Sequence, residues 1–148
     1  MDKVSVLVIC TGNSRRSQMA EGLIRAELGD KVDAYSAGVS PADRVHPYAV
    51  EVMKELKIDI SGHKPKSLEQ FMDKDIDVVI TVCDNAKKTC PVFPGAPVVL
   101  HWELADPGAV PGCAAEVKES FRETAYIIRR KMSELEKIVD EIRAKKEA

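Results

Sequence analysis

A cysteine, an arginine and a serine stand at a fixed spacing directly after an apolar stretch near the start of the chain. Cys10 is followed by five residues and then by Arg16 and Ser17. The planar guanidinium of Arg16 can bind two oxygens of a tetrahedral anion. The hydroxyl of Ser17 can donate a hydrogen bond to the Cys10 sulfur. These residue types at this spacing predict an oxyanion-binding loop that carries a cysteine nucleophile.

The residues between the cysteine and the serine suit a loop whose backbone N–H groups surround an anion. Gly12 permits the torsions of a tight turn, so we expect successive N–H groups to point inward. A helix is predicted to follow, and its N-terminal end favours both a bound anion and the Cys10 thiolate. The alternative is that Cys10 only fills the apolar core and that the arginines are surface residues. A cysteine, an arginine and a serine at this spacing at a strand end favour a catalytic role instead. The predicted oxyanion-binding residues are Thr11, Gly12, Asn13, Ser14, Arg15, Arg16 and Ser17.

Two further cysteines follow a second apolar stretch. Cys83 stands at the end of a predicted strand, and Cys90 follows after six intervening residues. A regular helix would hold the pair about 10 Å apart, at about 1.5 Å per residue, whereas a disulfide requires Cα atoms within about 7 Å. The polar segment, closed by Pro91, must therefore loop or unwind for the two to join. Two unrelated structural cysteines are the alternative, and Cys10 at the same sheet edge favours a relay of three thiols.

Asp106 follows a third apolar stretch and is a candidate general acid. Its carboxyl group could protonate an oxygen that leaves the bound anion. An Asp-Pro turn with Pro107 explains the local sequence equally well. The expected position of Asp106 beside the anion loop favours the catalytic role.

Apolar, β-branched segments alternate with amphipathic ones and must position these residues. Strands are predicted over 4–9, 32–36, 77–82 and 97–100, and almost wholly apolar strands are typical of parallel sheets covered on both faces. We predict an α/β fold: a single domain over 1–148, with a central parallel four-stranded sheet flanked by helices on both faces. Ligands of such sheets bind beyond the carboxyl ends of the strands, where the candidate residues stand.

Helices are predicted from an N-cap at Ser17 to Gly29, from Pro47 through Leu56, over 67–72, and as one long helix near the C-terminus. The apolar stripe of that last helix predicts packing against the core, and we expect a monomer. Dimerisation through the regular stripe is the alternative. The stripe consists of Val117, Phe121, Ala125, Ile128, Met132, Leu135, Val139 and Ile142.

Composition excludes several classes of function. The 148 residues are 45% hydrophobic and carry a formal net charge of −2, whereas a general nucleic-acid-binding protein needs a basic excess. The longest apolar run, at 4–9, is too short to span a membrane. No export signal is visible at the start of the sequence, and the four cysteines are too sparse for a disulfide scaffold. We therefore expect free thiols and a cytoplasmic location, without nucleic-acid or membrane partners.

We expect no bound metal. The cysteines other than Cys10, together with His46, His63 and His101, lack the close paired spacing of structural zinc sites.

The stretch CTGNSRRSQMAEG at 10–22 resembles the loop shared by low-molecular-weight protein tyrosine phosphatases and thioredoxin-coupled arsenate reductases. The match continues through YSAG at 35–38, DISGH at 59–63, the Cys83 and Cys90 pair, and the later His-Trp and Asp-Pro pairs. It covers nearly all of the chain from Val4 to the last helix. The phosphatases generally follow the Asp-Pro pair with tyrosines, where Gly108 stands here. The reductases carry two further redox cysteines, so the resemblance favours arsenate reductase.

The resemblance implies a mechanism for arsenic detoxification. Cys10 attacks arsenate held by the loop and Arg16, while Asp106 protonates the departing oxygen. Cys83 then attacks Cys10 and releases arsenite, and Cys90 attacks Cys83. Thioredoxin is the implied reductant. A phosphatase that uses Cys10, Arg16 and Asp106 is the alternative enzyme, and a non-catalytic oxyanion-binding module is the third hypothesis.

The sequence departs from the family pattern at several positions. Arg15 stands where many members carry a cysteine, which adds positive charge beside the anion. Some reductases of this type bind potassium near the loop, and Asn13, Glu21 and Ser36 match that site. Pro65 or Lys66 falls where a carboxylate would complete it. Cys113 has no assigned role.

Overall fold

A computed structural model describes residues 3–95 and 97–147 of the protein. Its sheet consists of four parallel strands. In chain order they are β1 (Val4–Cys10), β2 (Val32–Gly38), β3 (Val78–Thr81) and β4 (Val98–His101). They lie side by side in the order β2-β1-β3-β4. Each strand begins and ends within a residue or two of its predicted bounds, and the predicted α/β fold class is confirmed.

Helices connect the strands and form the C-terminal part of the described chain. The helical elements are α1 (Arg16–Leu28), α2 (Pro47–Glu55), a 3-10 turn at Leu68–Phe71, α3 (Asp84–Thr89), a 3-10 turn at Pro107–Ala109, α4 (Ala114–Arg130) and α5 (Met132–Glu147). None of the helices in the described ranges is both long enough and apolar enough to cross a membrane.

The two faces of β1 pack against different layers. Val4, Val6 and Val8 face the larger core cluster, which includes apolar residues of α1, α2, α4 and α5. Leu7 and Ile9 face the opposite way, into a smaller cluster with the first 3-10 turn and α3. Because both faces are covered, every apolar residue of this strand is buried. This explains why β1 is apolar throughout rather than alternating.

The predicted single C-terminal helix is wrong in one respect, since it is interrupted at Lys131. The backbone N–H of Lys131 bonds to the carbonyl of Ile128, which tightens the turn, and α5 begins at the next residue. The predicted apolar stripe nevertheless packs against the core as expected, with Phe121 and Leu135 fully buried. Strong helix formers surround the interruption, so the sequence carries no local signal for it.

Candidate active site

The Cys10 thiol is buried at the end of β1 and faces two hydrogen-bond donors. The backbone N–H of Asn13 donates to Sγ at 3.1 Å, and the Ser17 Oγ lies 2.8 Å from the same sulfur. Ser17 is not the N-cap that the sequence predicted. Arg15 occupies the cap position, and Ser17 lies fully buried in the first turn of α1. The Ser17 hydroxyl therefore contacts the Cys10 sulfur and does not cap the helix.

The left-handed residue of the loop is Asn13, and the conformational freedom that Gly12 offers is not used for it. Asn13 has φ 51°, whereas the φ of Gly12 is not in the positive region. Asparagine tolerates this conformation better than most residues. Its side-chain amide donates to Ser17 Oγ at 2.8 Å and to Ser36 Oγ at 2.9 Å. Since Ser17 accepts from Asn13, its own hydroxyl proton is free to point at Cys10.

Gly38, the last residue of the YSAG stretch, lets the loop lie against the end of β2. A Cβ atom on Gly38 would lie 2.6 Å from the carbonyl oxygen of Thr11 and 3.0 Å from the backbone nitrogen of Asn13. Both neighbours are backbone atoms that hold the loop in place. Only glycine therefore fits at this position without displacing the loop.

A buried carboxylate, Glu21, lies at the far end of this hydrogen-bond chain. Ser36 Oγ donates to Glu21 Oε1 at 2.7 Å, so the chain runs from Cys10 through Ser17, Asn13 and Ser36 to the carboxylate. The Glu21 side chain is only 4% exposed. The chain gives the loop a fixed anchor inside α1.

Three basic side chains surround Glu21. Arg25 donates to Oε2 at 2.9 Å, Lys66 Nζ lies 3.6 Å from Oε1, and His63 Nδ1 lies 3.4 Å from Oε2. Burial lowers the pKa of His63, and the nearby Arg25 and Lys66 lower it further, against an opposing effect of Glu21. Arg25 also donates to His63 Nε2, which places the histidine proton on Nδ1. The Glu21 carboxylate is thus paired with the basic side chains of Arg25 and Lys66.

This arrangement does not fit the potassium ion that the resemblance implied near Asn13, Glu21 and Ser36. The side-chain oxygen of Asn13 already accepts from the Lys66 backbone at 2.8 Å and from Gln18 at 3.0 Å. Both oxygens of Glu21 face cations or a hydroxyl donor. A hard cation requires several oxygens turned toward one point, and here those oxygens are already paired.

Arg16 is anchored on one side and unpaired on the other. Its Nη1 donates to the carbonyl of Leu104 at 3.0 Å, in the segment that follows β4. Its Nε is buried without a hydrogen-bond partner among the described residues. A buried donor without an acceptor is costly, so this nitrogen retains an unsatisfied hydrogen-bonding capacity.

Asp106 lies beside the loop and pairs with Arg15. Arg15 Nη1 lies 3.1 Å from Oδ2 and 3.3 Å from Oδ1 of Asp106. Oδ1 also accepts the backbone N–H of Gly108 at 3.0 Å and so caps the 3-10 turn. Asp106 therefore forms the Asp-Pro turn and also lies beside the loop. The turn and the position expected of a general acid are compatible.

Cys83 also lies beside the loop. Its sulfur is 3.4 Å from Oγ1 of Thr11, the residue after Cys10, and it accepts the backbone N–H of Ala86 as the N-cap of α3. Asn85 donates to the same Thr11 hydroxyl at 3.1 Å. The structure therefore brings the first two cysteines of the expected relay to one edge of the sheet.

The other two cysteines lie apart from this group. Cys90 is half-buried at the opposite end of α3, where burial raises the pKa of its thiol. Cys113 is exposed and caps α4, with its sulfur 3.3 Å from a Glu116 carboxylate oxygen. All four cysteines are free thiols.

Helix α3 separates Cys83 from Cys90, and its features favour unwinding. It has six residues, far fewer than the roughly 12–15 that a helix needs to persist by itself. Ala86 is its only buried residue among the six. A disulfide between the two cysteines therefore requires α3 to unwind, at the cost of few contacts.

Comparisons with known proteins give the following matches. The family model described as low molecular weight phosphotyrosine protein phosphatase matches residues 5–147. Arsenate reductase 2 of Staphylococcus epidermidis is 45% identical over 111 residues, which are 75% of this chain and 84% of that protein. A thioredoxin-dependent arsenate reductase of Corynebacterium glutamicum superposes with a TM-score of 0.69 at 33% identity, over 93% of this chain and 62% of that one. A low molecular weight protein tyrosine phosphatase of T. tengcongensis superposes with a TM-score of 0.70 at 31% identity, over 89% of this chain and 99% of that one.

Proposed function

The chain belongs to the low molecular weight phosphotyrosine protein phosphatase family and its activity is arsenate reduction; we propose that Cys10, Cys83 and Cys90 carry that reaction in turn. The observation that carries the proposal is the position of Cys83, 3.4 Å from the loop residue Thr11, with Cys90 across one short helix. A phosphatase needs the nucleophile and the anion loop, but it has no use for the two further thiols.

The first step joins Cys10 to arsenic. The Cys10 thiolate attacks arsenate, which is held by the loop N–H groups and by Arg16. A sulfur–arsenic bond forms, one arsenic–oxygen bond breaks, and the oxygen leaves as water. Asp106 supplies a proton to that oxygen.

The second step reduces arsenic. The Cys83 thiolate attacks the Cys10 sulfur, so a disulfide forms and the sulfur–arsenic bond breaks. The electron pair of that bond stays on arsenic, which leaves as arsenite. Asn85 and Cys83 contact the same Thr11 hydroxyl, so the start of α3 already touches the loop before the reaction.

The third step moves the disulfide away from the loop. As α3 unwinds, the Cys90 thiolate attacks the Cys83 sulfur and frees Cys10 as a thiolate. The product is a Cys83–Cys90 disulfide. A dithiol protein then reduces it with two electrons, and we propose thioredoxin for this role because it is the partner that the name of the Corynebacterium glutamicum neighbour gives. We also propose that the protein is a monomer and that it works in the cytoplasm, where such reductants keep thiols free.

A coupled assay tests the function. Reduced protein is mixed with thioredoxin, thioredoxin reductase and NADPH, and the loss of NADPH is followed with arsenate and, separately, the hydrolysis of an aryl phosphate. We expect arsenate-dependent turnover to exceed aryl phosphate hydrolysis. Rapid hydrolysis of the aryl phosphate without arsenate-dependent oxidation of NADPH would instead identify a phosphatase.

The cations around Glu21 lead to a prediction about salt. Because Arg25 and Lys66 already neutralise this carboxylate, we expect arsenate turnover to be the same in potassium and sodium buffers of equal ionic strength. Titration of potassium into sodium buffer, at constant ionic strength, checks this. Stimulation by potassium alone would show that the ion binds despite the internal cations.

A further inference from the structure

The Arg15 side chain lies between Asp106 and the backbone of the following turn. Its guanidinium contacts both carboxylate oxygens of Asp106, at 3.1 and 3.3 Å. Its Nε is buried and has no hydrogen-bond partner among the described residues. The guanidinium is therefore held on one side by a carboxylate and retains an unsatisfied donor.

Gly108 makes room for this guanidinium. A Cβ atom on Gly108 would lie 2.7 Å from Nε, 3.0 Å from Cζ and 3.2 Å from Cδ of Arg15. The backbone N–H of Gly108 also donates to Asp106 Oδ1. Arg15, Asp106 and Gly108 thus form one contact group, hereafter the latch, in which any side chain at position 108 would push Arg15 away.

The latch conflicts with the proposed chemistry as long as it stays closed. A guanidinium that contacts both carboxylate oxygens occupies the atoms with which a general acid must reach the departing oxygen. The conflict disappears if the substrate opens the latch. Asp106 must reach an oxygen of the bound oxyanion to act, and the Arg15 guanidinium lies 3.1 Å from that carboxylate. Arg15 is therefore a candidate second ligand of the same oxyanion.

We propose that Arg15 holds Asp106 in the resting enzyme and transfers to the incoming oxyanion, which it then helps to bind. This inference rests on the proposed function, because it assumes that Asp106 acts as the acid. The negative charge of the oxyanion attracts the guanidinium, and its Nε gains an acceptor. The freed Asp106 carboxyl group can then turn to the departing oxygen.

The latch costs binding affinity, since the oxyanion must replace Asp106 as the partner of Arg15. Any change that opens the latch without removing Arg15 should therefore tighten oxyanion binding. Gly108→Ala should open the latch while it retains the charges of Arg15 and Asp106. Asp106→Asn does it by removing the charge that holds Arg15.

The test is calorimetric titration of the reduced protein with inorganic phosphate, which binds without redox chemistry. We expect Gly108→Ala to tighten phosphate binding roughly fivefold or more. Gly62→Ala is the matched control, because a Cβ atom there meets nothing within 4 Å, and it should leave the affinity unchanged. An unchanged or weakened affinity in Gly108→Ala would overturn the latch.

A double-mutant cycle tests the latch without the glycine substitution. Asp106→Asn is titrated in the wild-type background and in the Arg15→Gln background. We expect the tightening by Asp106→Asn to be at least about fivefold larger when Arg15 is present. Equal effects in the two backgrounds would show that the residues act independently. Phosphate affinity is independent of arsenate turnover, so failure of the latch and failure of the proposed function are separate results.

Discussion

Replacing Cys10 with serine should reduce arsenate-dependent turnover by more than about 1000-fold. The serine hydroxyl is a far weaker nucleophile than a thiolate, and no other thiol contacts both the Asn13 N–H and the Ser17 hydroxyl. The substitution removes no buried carbon atom and leaves an oxygen within reach of the same donors. We therefore expect the fold and the affinity for phosphate to persist, and the loss to be chemical.

The coupled NADPH assay measures the effect of Cys10→Ser, with phosphate titration as evidence that the loop is intact. Cys113→Ser is the matched control, since this thiol is exposed and caps α4 away from the loop. It should retain full turnover. Turnover of Cys10→Ser above about a tenth of the wild-type rate would mean that another group attacks arsenate.

Replacing Cys83 or Cys90 with serine should abolish multiple turnover in both cases, but at different points of the reaction. Without Cys83, the arsenic stays bound to Cys10 and no arsenite is released. Without Cys90, one arsenite is released per chain, and the enzyme stops with Cys10 joined to Cys83. The difference arises because Cys83 lies beside the loop, whereas Cys90 lies at the far end of α3.

Rapid-quench measurement of arsenite separates the two variants, since Cys90→Ser should give a single burst and Cys83→Ser none. Non-reducing peptide mapping should find the Cys10–Cys83 disulfide in Cys90→Ser. Cys113→Ser again serves as the control and should turn over repeatedly. Undiminished multiple turnover in both serine variants at 83 and 90 would eliminate the relay.

The sequence predicted those features that depend on local pattern. The apolar strands and the order of strands and helices define the sheet, and the sheet brings the residues after β1, β3 and β4 to one edge. That topology explains why Cys83 and Asp106 both contact the loop that follows Cys10. The stripe of the C-terminal helices also packs as its periodicity indicates.

The sequence failed where a residue's role depends on partners far away in the chain. Ser17 has the residue type of an N-cap, but Cys10 and Asn13 use its hydroxyl. The family resemblance grouped Glu21 with Asn13 and Ser36, but only the fold shows the Lys66 ammonium beside its carboxylate, from 45 positions away. The pairing of Arg15 with Asp106 likewise spans 91 positions. Periodicity and spacing carry no information about such contacts.

The most direct test of the relay is a map of the thiols after the reduced protein reacts with arsenate in the absence of any reductant. Alkylation and mass spectrometry then identify which of the four thiols remain free. We predict one arsenite per chain, a disulfide between Cys83 and Cys90, and free thiols at Cys10 and Cys113. Arsenite formed while Cys83 and Cys90 both remain alkylatable would contradict the relay.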